Sequence, residues 1–159
     1  MGARAEQLVG KFDQSCKEFT AVVEKLSDAE WKKETAGEKW SVGVVAHHVA
    51  GGCAAIAGLV QVVAKGQPLP GLTMEQIHEN NAKHAKEFAG VTKAETLTLF
   101  KANAANASSM VRGLSDAELD RSATLLAGRS MTAAQVVEGI LINHVNEHLG
   151  SIRTTVGAK

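Results

Sequence analysis

The chain has 159 residues, 45% hydrophobic and 21% charged, a balance that argues against a disordered segment or a membrane-spanning protein. Seventeen basic residues offset seventeen acidic ones, and aromatics are 4% with no tyrosine. With neither a basic groove nor a stacking platform, no nucleic-acid partner is expected.

At this length roughly two thirds of the unfolded surface can be buried, and residues 1–159 are read as a single domain. From Leu8 to Leu26 the residues Leu8, Phe12, Cys16, Phe19, Val22, Val23 and Leu26 recur in steps of three and four, which predicts a first long helix with one buried stripe. Ser27 and Glu30 have capping-box spacing and predict a short helical turn, followed by a loop through Gly37. Ser41 is placed to cap a second helix that ends near Lys65-Gly66, where Gly66 suits a left-handed cap and Pro68 and Pro70 cannot continue the helix.

The stretch from Val42 to Ala64 is only weakly polar, but two histidines and four glycines interrupt it, so it reads as a buried helix and no membrane is expected. Its small residues, Gly51, Gly52, Ala54, Ala55, Ala57 and Gly58, allow close approach of another backbone. Two further capping boxes, Thr73 with Gln76 and Thr92 with Glu95, open helices predicted over Met74 to Ala89 and Lys93 to Gly113. In the latter, Leu97, Phe100, Ala104, Ala107, Val111 and Leu114 form one face suited to bundle packing. Thr132 with Gln135 caps a last helix running to about Thr155.

No segment carries sustained period-two alternation, so the expected class is all-α, with no sheet. The phrase Leu26-Ser-Asp-Ala-Glu-Trp31 recurs as Leu114-Ser-Asp-Ala-Glu-Leu119, each time ahead of a histidine-bearing helix, which suggests two related helical pairs. The two cysteines, Cys16 and Cys53, sit among apolar or small residues and read as packing residues. Two cysteines and no apolar stretch suited to a secretory signal make a reducing cytoplasm the expected location.

On the last helix His144 and His148 are one turn apart and project side by side, a bidentate clamp for a metal ion, on a stripe shared with Val137, Ile140, Leu141 and Ile152. Such pairs are also common on solvated helices, so a third ligand decides between the readings. The candidates are His47, His48, His78 and His84. Projection at about 100° per residue places His48 with Val44, Val45, Ala55 and Leu59, and His47 with Gly43, Ala54 and Gly58. This favours His48 as the inward residue and leaves His47 at a helix contact or on the surface.

His78 and His84, six residues apart, fall on different faces and read as solvated or capping residues. Glu75 with His78 forms a single Glu-x-x-His unit, whereas a carboxylate-bridged dimetal centre needs two. Glu147 lies beside His148 in sequence but about 100° away round the helix, so no acid–base role is assigned to it.

Two phrases resemble a known family. Trp40-Ser-Val-Gly-Val-Val-Ala-His-His48 is similar to the Trp-Ser/Thr-Val phrase of the DinB-like metal-binding four-helix bundles, and His144-Val-Asn-Glu-His148 to their closing His-x-x-x-His. These bundles include thiol-dependent S-transferases and the amino-terminal domain of a maleylpyruvate isomerase. The helix order and the two Leu-Ser-Asp-Ala-Glu turns extend the likeness over nearly the whole chain.

The resemblance implies a four-helix bundle with a long crossover connection, often a homodimer, and a nickel or zinc site on His48, His144 and His148. A small-molecule substrate and a low-molecular-weight thiol would be the partners. The expected functions are then a metal-dependent small-thiol S-transferase or, in a different class, a non-catalytic metal or ligand binder of a stress response. A third possibility is a purely structural role for the histidines.

Overall fold

The computed structural model describes residues 2–69, 71, 73–125 and 128–157. In chain order the helices are α1 (Ala3–Glu24), α2 (Asp28–Trp31), α3 (Val42–Ala64), α4 (Met74–Glu87), α5 (Lys93–Arg112) and α6 (Asp116–Asp120). Two short strands follow, β1 (Ser122–Thr124) and β2 (Ser130–Thr132). The last long helix comprises α7 (Ala133–Val136), a π-helical segment (Val137–Ile142) and α8 (Asn143–Val156).

Helix starts follow the capping signals. Ser27, Thr73, Thr92, Ser115 and Thr132 each accept the amide of the residue three positions on, and that residue's side chain accepts the cap's own amide in return. The repeated phrase therefore folds twice into the same capped turn, α2 and α6. Trp31 closes the first copy by donating its indole N–H to the Val91 carbonyl at 3.0 Å, and Gly43 leaves the space that this ring fills on α3. Leu119 closes the second by complete burial. Gly66 takes a φ of +68° after α3, the left-handed conformation its place in the sequence predicts.

α1 packs along α5 and α8, and α3 packs along the same two helices. The four long helices therefore stand in the ring order α1, α5, α3, α8, so sequence neighbours α1 and α3 face each other across the bundle. The family resemblance implies one long crossover connection, and this ring order has two, from α1 to α3 and from α5 to α8. The core threads all four, from Phe12 and Phe19 on α1 through Val45 and Val49 on α3 and Phe100 on α5 to Leu149 and Ile152 on α8. By length and composition α3 could also cross a membrane, but half of its apolar stretch is buried inside the bundle. α4 lies outside the ring, packs on α3 alone among its stronger contacts and buries none of its residues fully.

Two expectations need correction. β1 and β2 form an antiparallel hairpin, Ser122 opposite Thr132 and Thr124 opposite Ser130, in a chain expected to have no sheet. Three-residue strands are too short to show an alternating pattern, and the hairpin holds by burying Met131 while Gly128 turns the chain at a φ of +74°. The last helix is also less regular than its capping box suggests. In the π-helical segment each backbone hydrogen bond spans one residue more than in an α-helix, which turns the face of α8 relative to α7.

Candidate metal centre

Ser41 Oγ accepts the Val44 amide at 3.1 Å and starts α3, so His48 falls in its second turn. His144 and His148 come from the facing stretch of α8, immediately after the π-helical segment. Ligand nitrogens of His48, His144 and His148 all lie within 4.8 Å of one another. The Nε2 atoms of His48 and His144 are 3.0 Å apart. Two imidazole nitrogens bound to one ion at about 2.0–2.1 Å stand roughly 3.0–3.4 Å apart, so this pair fits a shared cation.

The electrostatics suit the same use. Burial, followed by the neighbouring His148 and His84, lowers His48 to about 4. Burial, then His148 and His48, lowers His144 to about 3. Both rings are therefore neutral at ordinary pH, the state a metal requires. His144 Nδ1 is buried with no hydrogen-bond partner among the described residues. A buried imidazole with one unmatched nitrogen is costly unless its other nitrogen is strongly engaged.

One member of the site was not legible in the sequence. Glu38, in the loop before α3, accepts a hydrogen bond from His148 Nδ1 at 2.7 Å and another from Ser151 Oγ at 2.6 Å. Burial raises the Glu38 carboxyl, but these hydrogen bonds outweigh it and hold the group below its ordinary value. A carboxylate on Nδ1 fixes the His148 ring and leaves Nε2 as the nitrogen available to a metal. The loop is shaped by Lys39 at a φ of +62° and closed by the Thr35 amide on the Trp40 carbonyl at 2.8 Å. Ser151, three residues after His148 on the same face, was the only local hint. Trp40 then packs edge-on to the His48 ring, with centroids 5.4 Å apart.

The other histidines divide. His78 is exposed, as expected, and so is Glu75, which leaves the single Glu-x-x-His unit in solvent. His47 is at a helix contact, one of the two places expected for it, but it is more buried than His48, only 7% exposed. Helix projection finds the bundle axis, whereas α4 covers the face of α3 that carries His47.

His84, expected to be solvated or a cap, is half-buried. Its Nε2 lies 2.7 Å from His47 Nδ1, with the two ring planes 23° apart and centroids 4.9 Å apart, and it stands 5.9 Å from the His48 ring. Phe88 stacks on the face of His47, with centroids 4.1 Å apart, and also packs near the His84 ring at 4.8 Å. A second imidazole pair, His47 with His84, thus stands beside the three converging histidines.

The remaining candidates are not among the converging groups. Glu147 is exposed and accepts a hydrogen bond from Asn143 at 2.9 Å. Both cysteines are buried, and burial pushes the Cys53 thiol up to about 12 and raises Cys16 as well, so neither is a ready thiolate.

Comparison with known proteins places the fold. Mycothiol-dependent maleylpyruvate isomerase superimposes with a TM-score of 0.76 at 16% identity, over 96% of this chain and 63% of the isomerase. The chain therefore spans less than two thirds of that protein. YfiT from Bacillus subtilis, described as a probable metal-dependent hydrolase with an unusual four-helix bundle topology, superimposes with a TM-score of 0.76 at 14% identity, over 100% of this chain and 91% of YfiT. No curated protein matches the sequence. The profile of the DinB superfamily matches residues 11–152, which include all three converging histidines and Trp40, and the chain belongs to that superfamily.

Proposed function

We propose that the protein binds one divalent metal ion, nickel or zinc, through His48, His144 and His148, and uses it in a metal-dependent transfer reaction of a small thiol. The carrying observation is the convergence of three imidazoles from α3 and α8, two of them held neutral by burial. Bound to three neutral ligands, a dication keeps its full charge and lowers the pKa of a water or thiol that shares it.

The chain's own residues supply position and exclusion. Glu38 orients His148 and keeps its Nδ1 proton in place. Trp40 walls His48 from solvent on one side. A binding role without turnover remains the second reading. It is favoured by one observation: Glu38, the carboxylate at the site, is already committed to His148 and Ser151.

The test starts from untagged protein analysed for bound metal, then loaded with zinc or nickel and assayed for conjugation of low-molecular-weight thiols to a generic electrophile. The expected result is one ion per chain and an activity lost in His148→Ala. Activity no greater than that of free metal leaves the binding role, and metal content near zero after loading ends both readings.

A further inference from the structure

His84 is the one imidazole beside the site that comes from α4, the helix outside the ring. Its Nε2 is engaged by His47 at 2.7 Å, yet its Nδ1 is enclosed and has no partner among the described residues. The core does not require this arrangement, because α4 buries none of its residues fully. A polar nitrogen shut away from water without a partner is rare in folded proteins and points to a partner that arrives from outside. The ring stands 5.9 Å from His48, and it is not among the three whose ligand atoms converge. It is therefore placed to meet what binds beside the ion.

We infer that His84 is a substrate-positioning residue whose Nδ1–H hydrogen-bonds an anionic oxygen, most simply that of a small carboxylate, held beside the metal on His48, His144 and His148. The inference rests on the metal reading above. In the tautomer that carries the His47 proton on Nδ1, that N–H donates to His84 Nε2 and the His84 proton sits on Nδ1, which is here assigned as the donor to the incoming group. Phe88 packs against the His84 ring with centroids 4.8 Å apart, and together with the His47 contact holds it in this orientation. The positive charge left on an ion with three neutral ligands and the His84 donor both select an anion with an oxygen acceptor.

The test uses cobalt(II)-loaded full-length protein, whose visible absorption reports both metal uptake and binding of an added ligand, with acetate as the probe. In His84→Phe, which keeps an aromatic ring in the stack but removes the donor, acetate affinity is expected to fall about tenfold while cobalt affinity is unchanged. In His84→Asn, which restores an N–H near the Nδ1 position, acetate affinity is expected to return to within about threefold of wild type.

Unchanged acetate affinity in His84→Phe overturns the inference and leaves the metal reading standing. A parallel loss of cobalt affinity overturns it in another way, by making His84 a ligand. Failure of the wild-type protein to take up cobalt overturns the metal reading and this inference together.

Discussion

The Cε1 end of the His144 ring lies against Gly52: a methyl group at that position would stand 2.9 Å from Nδ1 and closer still to Cε1. The neighbouring Gly51 faces open space, with nothing within 4 Å of such a methyl. Of the two adjacent glycines, only Gly52 makes room for an imidazole of the candidate site.

Gly52→Ala is therefore expected to push His144 out of register with His48 and weaken metal binding at least tenfold, measured by competition with a chromogenic chelator. Gly51→Ala should leave metal affinity unchanged and stabilise α3 by about 0.5–1 kcal/mol, the ordinary helix preference for alanine. Equal metal affinities in the two variants would contradict the packing of His144 on Gly52.

Glu38→Gln keeps the shape of the side chain and can still accept from His148 Nδ1, but it removes the charge. Loss of such an outer partner typically costs 10–100-fold in metal affinity. The same chelator competition should show a loss in that range, and Ser151→Ala a smaller one, since Ser151 reaches His148 only through Glu38. A Glu38→Gln protein with wild-type affinity would remove Glu38 from the site.

The metal-free protein should lose stability in mild acid. His48 and His144 are held at about 4 and about 3, below the ordinary value of about 6.5 that they regain on unfolding. Between those limits the unfolded chain takes up protons that the folded chain refuses. The contribution is thus complete above pH 6.5 and is lost as pH falls through the folded values. Tm of the apo protein is expected to drop by on the order of 10 °C between pH 7 and pH 4.5, and the drop should be much smaller in His48→Gln/His144→Gln. The same slope in both proteins would place the cause elsewhere.

Phe19 and Phe100 form the aromatic centre of the α1–α5 seam, with ring centroids 4.3 Å apart and both rings buried. Phe100→Ala should cost about 3–5 kcal/mol in urea unfolding, through lost burial and the cavity left behind. In the ring order of the bundle this seam lies opposite α3–α8, so the folded variant should bind metal like wild type. A changed metal affinity would show that the two seams are coupled.

Local signals in the sequence determined the helix starts, the paired turns α2 and α6, and the side-by-side placement of His144 and His148. Each depends on groups within about four residues of one another, where hydrogen-bonding rules and the helical repeat act without the rest of the chain. Tertiary structure alone decided that Glu38 reaches His148 across 110 positions, that α4 lays His84 on His47 across 37, and that Gly52 rather than Gly51 receives an imidazole. These relations follow from which faces of α3 meet α8 and α4. Side-chain shape and the π-helical turn of the last helix set those faces, and neither leaves a period in the sequence.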